Sequence, residues 1–136
     1  MSGRATLARH LGGCRWEGIA VEPYKPEGES FRDVTRQVLF GADAVIFVSF
    51  GSRFSQSEDA CRRTAEALRG PLGGCLPALP VPAGGIELES AAKVVEFYGR
   101  DAMLLVGGSL QLEPGALLER SRRFVESVRE AAAELP

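Results

Sequence analysis

Two apolar runs that each end in a pair of glycines constrain the fold of this chain more than any other feature. The first run, Leu-Pro-Ala-Leu-Pro-Val-Pro-Ala, leads into Gly84 and Gly85, and the second, Ala-Met-Leu-Leu-Val, leads into Gly107, Gly108 and Ser109. A glycine pair just past a buried strand lets the backbone approach a ligand closely, and its N–H groups can hold an anion. The sequence therefore predicts a phosphate site at these five residues. Ordinary tight turns between a strand and a helix have the same composition, so this alternative stays open.

The chain around these glycines alternates strands and helices. Apolar runs predict strands at residues 42–50, about 78–81 and 102–106, each followed by an amphipathic helical pattern. Such alternation favours a parallel sheet with right-handed crossovers, which binds ligands at the carboxyl ends of its strands. We therefore predict an α/β fold, a partial (β/α)-barrel-like parallel sheet. Its three C-terminal βα units occupy residues 41–136 of one domain, after a short irregular N-terminal segment and helix in residues 1–40.

Local signals predict where the elements begin and which way they face. Pro80 and Pro82 are unusual in a strand, because proline cannot donate a hydrogen bond to the sheet. Ser55 and Glu58 have the spacing of a capping box, which predicts that a helix begins at Ser55. Arg53, in the possible substrate loop after the first strand, is predicted to lie with both glycine pairs at the carboxyl ends of the strands. The inner face of the last helix is predicted to consist of Leu117, Phe124, Val125 and Val128.

Composition excludes several classes of partner. The chain has 136 residues and a net charge of −2, which gives no support for a nucleic-acid partner. No apolar run approaches the roughly 20 residues that span a bilayer, and the N-terminus lacks the apolar core of a signal peptide. Cys14, Cys61 and Cys75 are too few and too irregular for a disulfide framework or a zinc site. The sequence thus predicts a cytoplasmic protein with reduced thiols and no membrane partner.

Several motifs, in order, resemble a known family. The stretches Phe-Gly-Ser-Arg-Phe-Ser, Pro-Val-Pro-Ala-Gly-Gly-Ile and Leu-Leu-Val-Gly-Gly-Ser-Leu resemble the C-terminal part of the RuBisCO-like proteins, the non-carboxylating form IV relatives of the RuBisCO large subunit. The resemblance covers about residues 41–130. It implies that the three strands are strands six, seven and eight of a (β/α)8 barrel, and that both glycine turns hold the phosphate of a sugar-phosphate-like substrate. It also implies isomerase or enolase chemistry on a ketose phosphate, as in methionine salvage, with Mg²⁺ as the cofactor.

The chain departs from the family in three ways. Ala83 stands where RuBisCO has a serine, and the lysine of RuBisCO loop six has no match in residues 50–56. Both departures argue against carboxylase activity. The magnesium-binding lysine, aspartate and glutamate of the family have no counterpart, so no metal ligands and no catalytic base are assigned in this chain.

Two other functions and one other origin stay open. A non-catalytic truncated barrel domain would bind a ligand or a partner, and an unrelated flavodoxin-like module would need the shared motifs to be coincidental. Residues 1–40 faintly resemble the opening of small cupin proteins, or they simply supply the helix before the first strand. Because a sheet of three units has two exposed edges, we expect a homo-oligomer or a partner chain that completes the sheet.

Overall fold

Three short parallel strands form the sheet of this molecule. The computed structural model describes residues 19–21, 30–51, 56–70, 75–112 and 115–136. The strands are β1 (Ile19–Val21), β2 (Ala44–Val48) and β3 (Leu79–Ala83), in the order β1-β2-β3. Ala44 pairs with Ile19 on one side and with Leu79 on the other. The predicted α/β fold with a parallel sheet is confirmed, and a strand from the first 40 residues lies along the β2 edge.

Helices alternate with the strands, as the sequence predicts. They are α1 (Ser30–Leu39), α2 (Glu58–Arg69), α3 (Ala91–Tyr98) and α4 (Leu117–Glu134), with single 3₁₀ turns at Leu88–Ser90 and Gly108–Gln111. None of the helices in the described ranges is long and apolar enough to cross a membrane.

The predicted strand at residues 102–106 is wrong as a regular strand. The segment forms one isolated parallel bridge, between Leu105 and Ala83. Met103 and Leu105 donate their N–H groups to the carbonyls of Pro80 and Pro82, at 3.0 and 3.1 Å. In a parallel ladder those same two β3 residues would donate back, but proline has no N–H. Half of the ladder is therefore missing, which explains the single bridge.

The same geometry explains why β3 tolerates two prolines. Leu79 donates its N–H to Asp43, and Ala83 accepts from Ser49, both at 2.8 Å, so these alternate residues of β3 face β2. The prolines occupy the positions between them, which face away from β2. The ladder with β2 consequently loses no hydrogen bond.

The start of α2 also differs from its prediction. Its N-cap is Ser57 rather than Ser55, and the Ser57 hydroxyl accepts a hydrogen bond from the N–H of Ala60 at 3.2 Å. Ser55 lies outside the described residues. Cys61 and Leu68 are fully buried, so they lie on the inner face of α2.

Two arginines donate hydrogen bonds to backbone carbonyls near the carboxyl ends of α3 and α4. Arg69, at the end of α2, donates from Nε and Nη2 to the carbonyl of Asp101 just past α3, at 3.0 and 2.7 Å. Arg100 donates in the same way to the carbonyls of Ala132 and Leu135 at the end of α4, at 3.0 and 2.6 Å. The Arg100 bonds satisfy carbonyls at the end of α4, and Nη2 of Arg69 also donates to the carbonyl of Tyr98, the last residue of α3. A helix leaves such terminal carbonyls unpaired.

The predicted inner face of α4 is only partly correct. Phe124 is buried, whereas Leu117 and Val125 are 50% and 45% exposed. The helix packs on α3 through one narrow stripe, because no further layer covers its remaining apolar positions within the described residues. Val128 lies at the border of the stripe and is partly buried.

An aromatic group joins the sheet to α3 in the core. The ring of Tyr98 packs against the rings of Phe47, Phe50 and Phe97, with centroid distances of 6.0, 5.9 and 4.8 Å. Its hydroxyl lies 3.2 Å from the hydroxyl of Ser49, which is fully buried at the end of β2. Burial raises the pKa of the Tyr98 phenol well above its usual value, so the phenol stays protonated.

Candidate functional site

The three parallel segments end at one edge of the sheet. β2 leads into Gly51, β3 leads into Gly84, and the segment that bridges to β3 leads into Gly107. Parallel strands present their carboxyl ends on the same side, and this edge is where such sheets bind ligands. The topology therefore brings the two predicted glycine turns together.

A cleft of about 220 Å³ lies between these turns. We call it the glycine cleft. It is lined by Gly84, Gly85, Ile86, Glu87, Leu105, Val106, Gly107, Gly108, Ser109 and Leu112. All five residues predicted from the glycine pairs line it. That they bind phosphate stays a prediction.

The two glycine pairs differ in the structural reason for which glycine is required. Gly84 and Gly85 have φ values of 84° and 68°, in the left-handed region that other residues adopt at a cost. Gly107 and Gly108 have no positive φ. A Cβ added at either one would meet no protein atom within 4 Å. The first pair therefore shapes the turn, while the second leaves the backbone open to the cleft.

Ser109 connects the two turns. Its hydroxyl donates a hydrogen bond of 2.7 Å to the carbonyl of Ile86, just after the first glycine pair. The single hydroxyl proton is thus directed at the protein, so a ligand oxygen would be contacted by the N–H of Ser109 rather than by its hydroxyl. The N–H groups at the start of the turn at Gly108–Gln111 have no partner within that turn.

A second cleft, of about 330 Å³, adjoins the first. We call it the lysine cleft. It is lined by Phe50, Gly51, Gly85, Glu87, Ser90, Lys93 and Val94. Gly85 and Glu87 line both clefts, so the two meet on either side of the first glycine turn.

No local pattern in the sequence assigns Lys93 to the site. Its Nζ lies 2.9 Å from Oε1 of Glu58 on α2 and 5.2 Å from the centroid of the Phe50 ring. Those partners lie 35 and 43 positions away along the chain, so no local pattern shows the contact. Glu87 was also missed, although it lies only two positions after Gly85.

Two features, the predicted substrate-loop cation and the Mg²⁺ site of the family, do not appear in the described part of the structure. Arg53, the predicted substrate-loop cation, lies outside the described residues. In the ranges that the structure describes, no three His, Cys, Asp or Glu side chains come together as a metal site would require. These residues therefore do not fit the Mg²⁺ that the resemblance implies, and we derive no step through a metal.

Comparison with known proteins identifies the segment that carries the site. No protein-family model matches the sequence. The 5-methylthioribulose-1-phosphate isomerase of Rhodospirillum rubrum is 46% identical over 95 residues, which are 70% of this chain and 25% of that protein. RuBisCO-like protein 1 of Rhodopseudomonas palustris is 44% identical over 90 residues, which are 66% of this chain and 24% of that protein. The matched segment belongs to the RuBisCO-like proteins. The resemblance inferred from the motifs is thereby confirmed for about 70% of the chain.

Solved structures place the same segment in the RuBisCO fold. The RuBisCO-like protein from Rhodopseudomonas palustris aligns with a TM-score of 0.57 at 40% identity, over 68% of this chain and 24% of that one. An octameric RuBisCO from Pyrococcus horikoshii aligns with a TM-score of 0.68 at 15% identity, over 78% of this chain and 26% of that one, which shows the fold alone. The chain thus spans about a quarter of the length of the RuBisCO-like proteins that it matches.

Proposed function

We propose that the glycine cleft binds the phosphate group of a small sugar-phosphate-like ligand. The observation that carries this proposal is the convergence of both glycine pairs on one cleft at the carboxyl ends of parallel segments. Exposed backbone N–H groups in such turns form a concave site with positive potential, which attracts an anion. The open backbone at Gly107 and Gly108 leaves room for that anion to approach.

We further propose that this segment serves an isomerase or enolase of methionine-salvage type, acting on a ketose-phosphate-like substrate without carboxylation. The support is the 46% identity to a relative named as an isomerase of 5-methylthioribulose 1-phosphate. Within this reaction the described residues would bind and orient the phosphorylated end of the substrate, which is a large part of the work in such reactions. The groups that move the proton are not assigned to any described residue.

A non-catalytic ligand-binding module is the second candidate function. It is favoured by the lack of a metal-binding cluster in the described part of the chain. The two candidates share the phosphate cleft and differ in turnover. Conversion of 5-methylthioribulose 1-phosphate by the purified chain would support the enzyme, whereas binding without conversion would support the module.

Isothermal titration with inorganic phosphate and ribulose 5-phosphate, with and without Mg²⁺, tests the cleft. We expect saturable binding to the native chain, and binding at least about tenfold weaker to Gly108→Val, because the added side chain fills the approach to the N–H groups. The fold should survive, since a Cβ at Gly108 meets no protein atom. We expect no dependence on Mg²⁺, because no cluster of metal-ligating side chains lies among the described residues.

The control for this test is Ala133→Val, which adds comparable bulk at an exposed position of α4. It should bind phosphate as the native chain does. Equal binding by the native chain and Gly108→Val would contradict the proposed site, and no binding by the native chain would contradict the proposed function.

We also propose that the chain assembles, either with copies of itself or with a partner chain that completes the sheet. The RuBisCO from Pyrococcus horikoshii, whose fold this chain shares in part, is octameric. Met103 and Leu105, on the last hydrogen-bonded segment of the sheet, are 48% and 47% exposed. Light scattering at micromolar concentration should give a mass above that of one chain if the chain self-associates. A monomeric mass would leave only the partner chain, and failure to gain mass on mixing with the remaining barrel of a RuBisCO-like protein would contradict that as well.

A further inference from the structure

Lys93 is a cation whose position the phosphate site does not explain. It lines the lysine cleft and is the only cationic side chain among the described residues that line either cleft. Its side chain is 64% exposed, so the ammonium is accessible from solvent.

We propose that Lys93 forms a second anion subsite, which binds a carboxylate or another acidic group of the ligand whose phosphate occupies the glycine cleft. This inference rests on the proposed phosphate site and goes beyond the ketose-phosphate function, since a ketose monophosphate has no second acidic group. The ligand class is a phosphorylated compound with a second acidic group a few carbon atoms from the phosphate. Because Gly85 lines both clefts, the two acidic groups would lie on either side of this residue.

The contacts of Lys93 position its ammonium and leave hydrogen-bond donors for a ligand. Oε1 of Glu58 takes one hydrogen bond at 2.9 Å, whereas an ammonium has three donors. The carboxylate of this pair is 53% exposed, and exposed ion pairs bind weakly. A ligand carboxylate can therefore add to the pair or replace Glu58. The Phe50 ring, 5.2 Å away, holds the cation beside the cleft.

The charges around Gly85 decide where a second anion can bind. Glu87 lines both clefts and opposes the entry of any anion. Lys93 is the only positively charged residue in the described lining, and Glu58 on α2 already neutralises part of its charge. The side of Gly85 that faces Lys93 is therefore the favourable place for a second acidic group, and the apolar parts of Phe50 and Val94 accommodate a short carbon chain between the groups.

The test compares two compounds that differ in one group. 3-Phosphonopropionate carries a carboxylate, and 3-hydroxypropylphosphonate carries a hydroxymethyl group in its place. For the native chain we expect the carboxylate to bind on the order of tenfold more tightly, as one added charge-assisted contact gives. Lys93→Gln should remove this preference without weakening the alcohol, while Lys93→Arg should keep most of it.

Two further variants sharpen the result. Glu58→Gln should increase the preference, because it removes the carboxylate that competes for Lys93. Arg62→Gln is the matched control, since Arg62 also lies over an aromatic ring, that of Phe97 at 4.5 Å, but lines neither cleft. It should leave the preference unchanged.

Each outcome has a distinct meaning. Binding of the alcohol with no preference for the carboxylate would overturn the Lys93 subsite alone. A preference that persists in Lys93→Gln would also overturn it. Binding of neither compound would overturn both the subsite and the phosphate site.

Discussion

Replacing Tyr98 by alanine is expected to destabilise the fold by about 3–5 kcal/mol, the usual cost of deleting a large buried aromatic side chain. Tyr98 is 2% exposed and packs between β2 and α3. Its ring contacts three other aromatic rings, so the cavity would open where the sheet meets the helix. Domains of this size are stable by about 5–15 kcal/mol, so the loss is a large part of the total. Urea unfolding followed by circular dichroism measures it.

Tyr98→Phe separates the ring from its hydroxyl. This variant keeps the aromatic contacts and removes the hydrogen bond to Ser49, which leaves the Ser49 hydroxyl buried without that partner. We expect a cost of about 1–2 kcal/mol, the penalty of an unsatisfied buried group. A cost for Tyr98→Ala no larger than for Tyr98→Phe would show that the ring does not support the core.

The pH dependence gives an independent check of the same burial. The pKa of Tyr98 is raised in the folded chain, whereas in the unfolded chain it is about 10. Above that pH the unfolded state loses the proton that the folded state keeps. Stability is therefore complete below about pH 10 and falls by about 1.4 kcal/mol per pH unit above it. In Tyr98→Phe this contribution should vanish, and an unchanged alkaline slope would contradict the burial of the phenol.

The sequence was most informative where a single local signal decides the structure. The unbroken apolar run around Val45 and Phe47 predicted a buried parallel strand, and both side chains are buried in β2. Gly99 has a positive φ of 76° and follows the last residue of α3, where glycine favours the end of a helix. In these places neighbouring residues carry all the information that is needed.

Prediction failed where the structure depends on strand register, or on which of two similar residues caps a helix. Whether Pro80 and Pro82 weaken the sheet depends on which neighbour each faces, and that is a property of the register. Ser55 and Ser57 are both good N-cap residues. The structure uses Ser57, and nothing in the sequence ranks the two.

The candidate site shows the same limit. Its glycines were found because a paired glycine after an apolar run is a local signal, and the topology brings the pairs together. No local signal marks Lys93, because its partners Phe50 and Glu58 come from other βα units. Residues that a local signal marks can be predicted, but a side chain that enters a cleft from another element cannot.

Replacing Gly85 by valine is expected to have the second large effect, because it alters conformation and binding together. Gly85 has a φ of 68°, follows a residue with a φ of 84°, and lines both clefts. A β-branched residue in this region costs about 1–3 kcal/mol. We expect that loss of stability together with a phosphate affinity at least about tenfold lower, since the side chain would enter the cleft from the turn.

Gly85→Asn distinguishes the two causes. Asparagine tolerates the left-handed conformation better than other residues with a side chain, so most of the stability should return. Its side chain still occupies the position beside both clefts, so phosphate binding should stay weak. The two losses have separate physical origins, in the turn and in the approach of the anion, and this pair of variants separates them. If titration showed that Gly85→Asn binds phosphate as the native chain does, close approach of the ligand to this glycine would be wrong, and only its conformational role would remain.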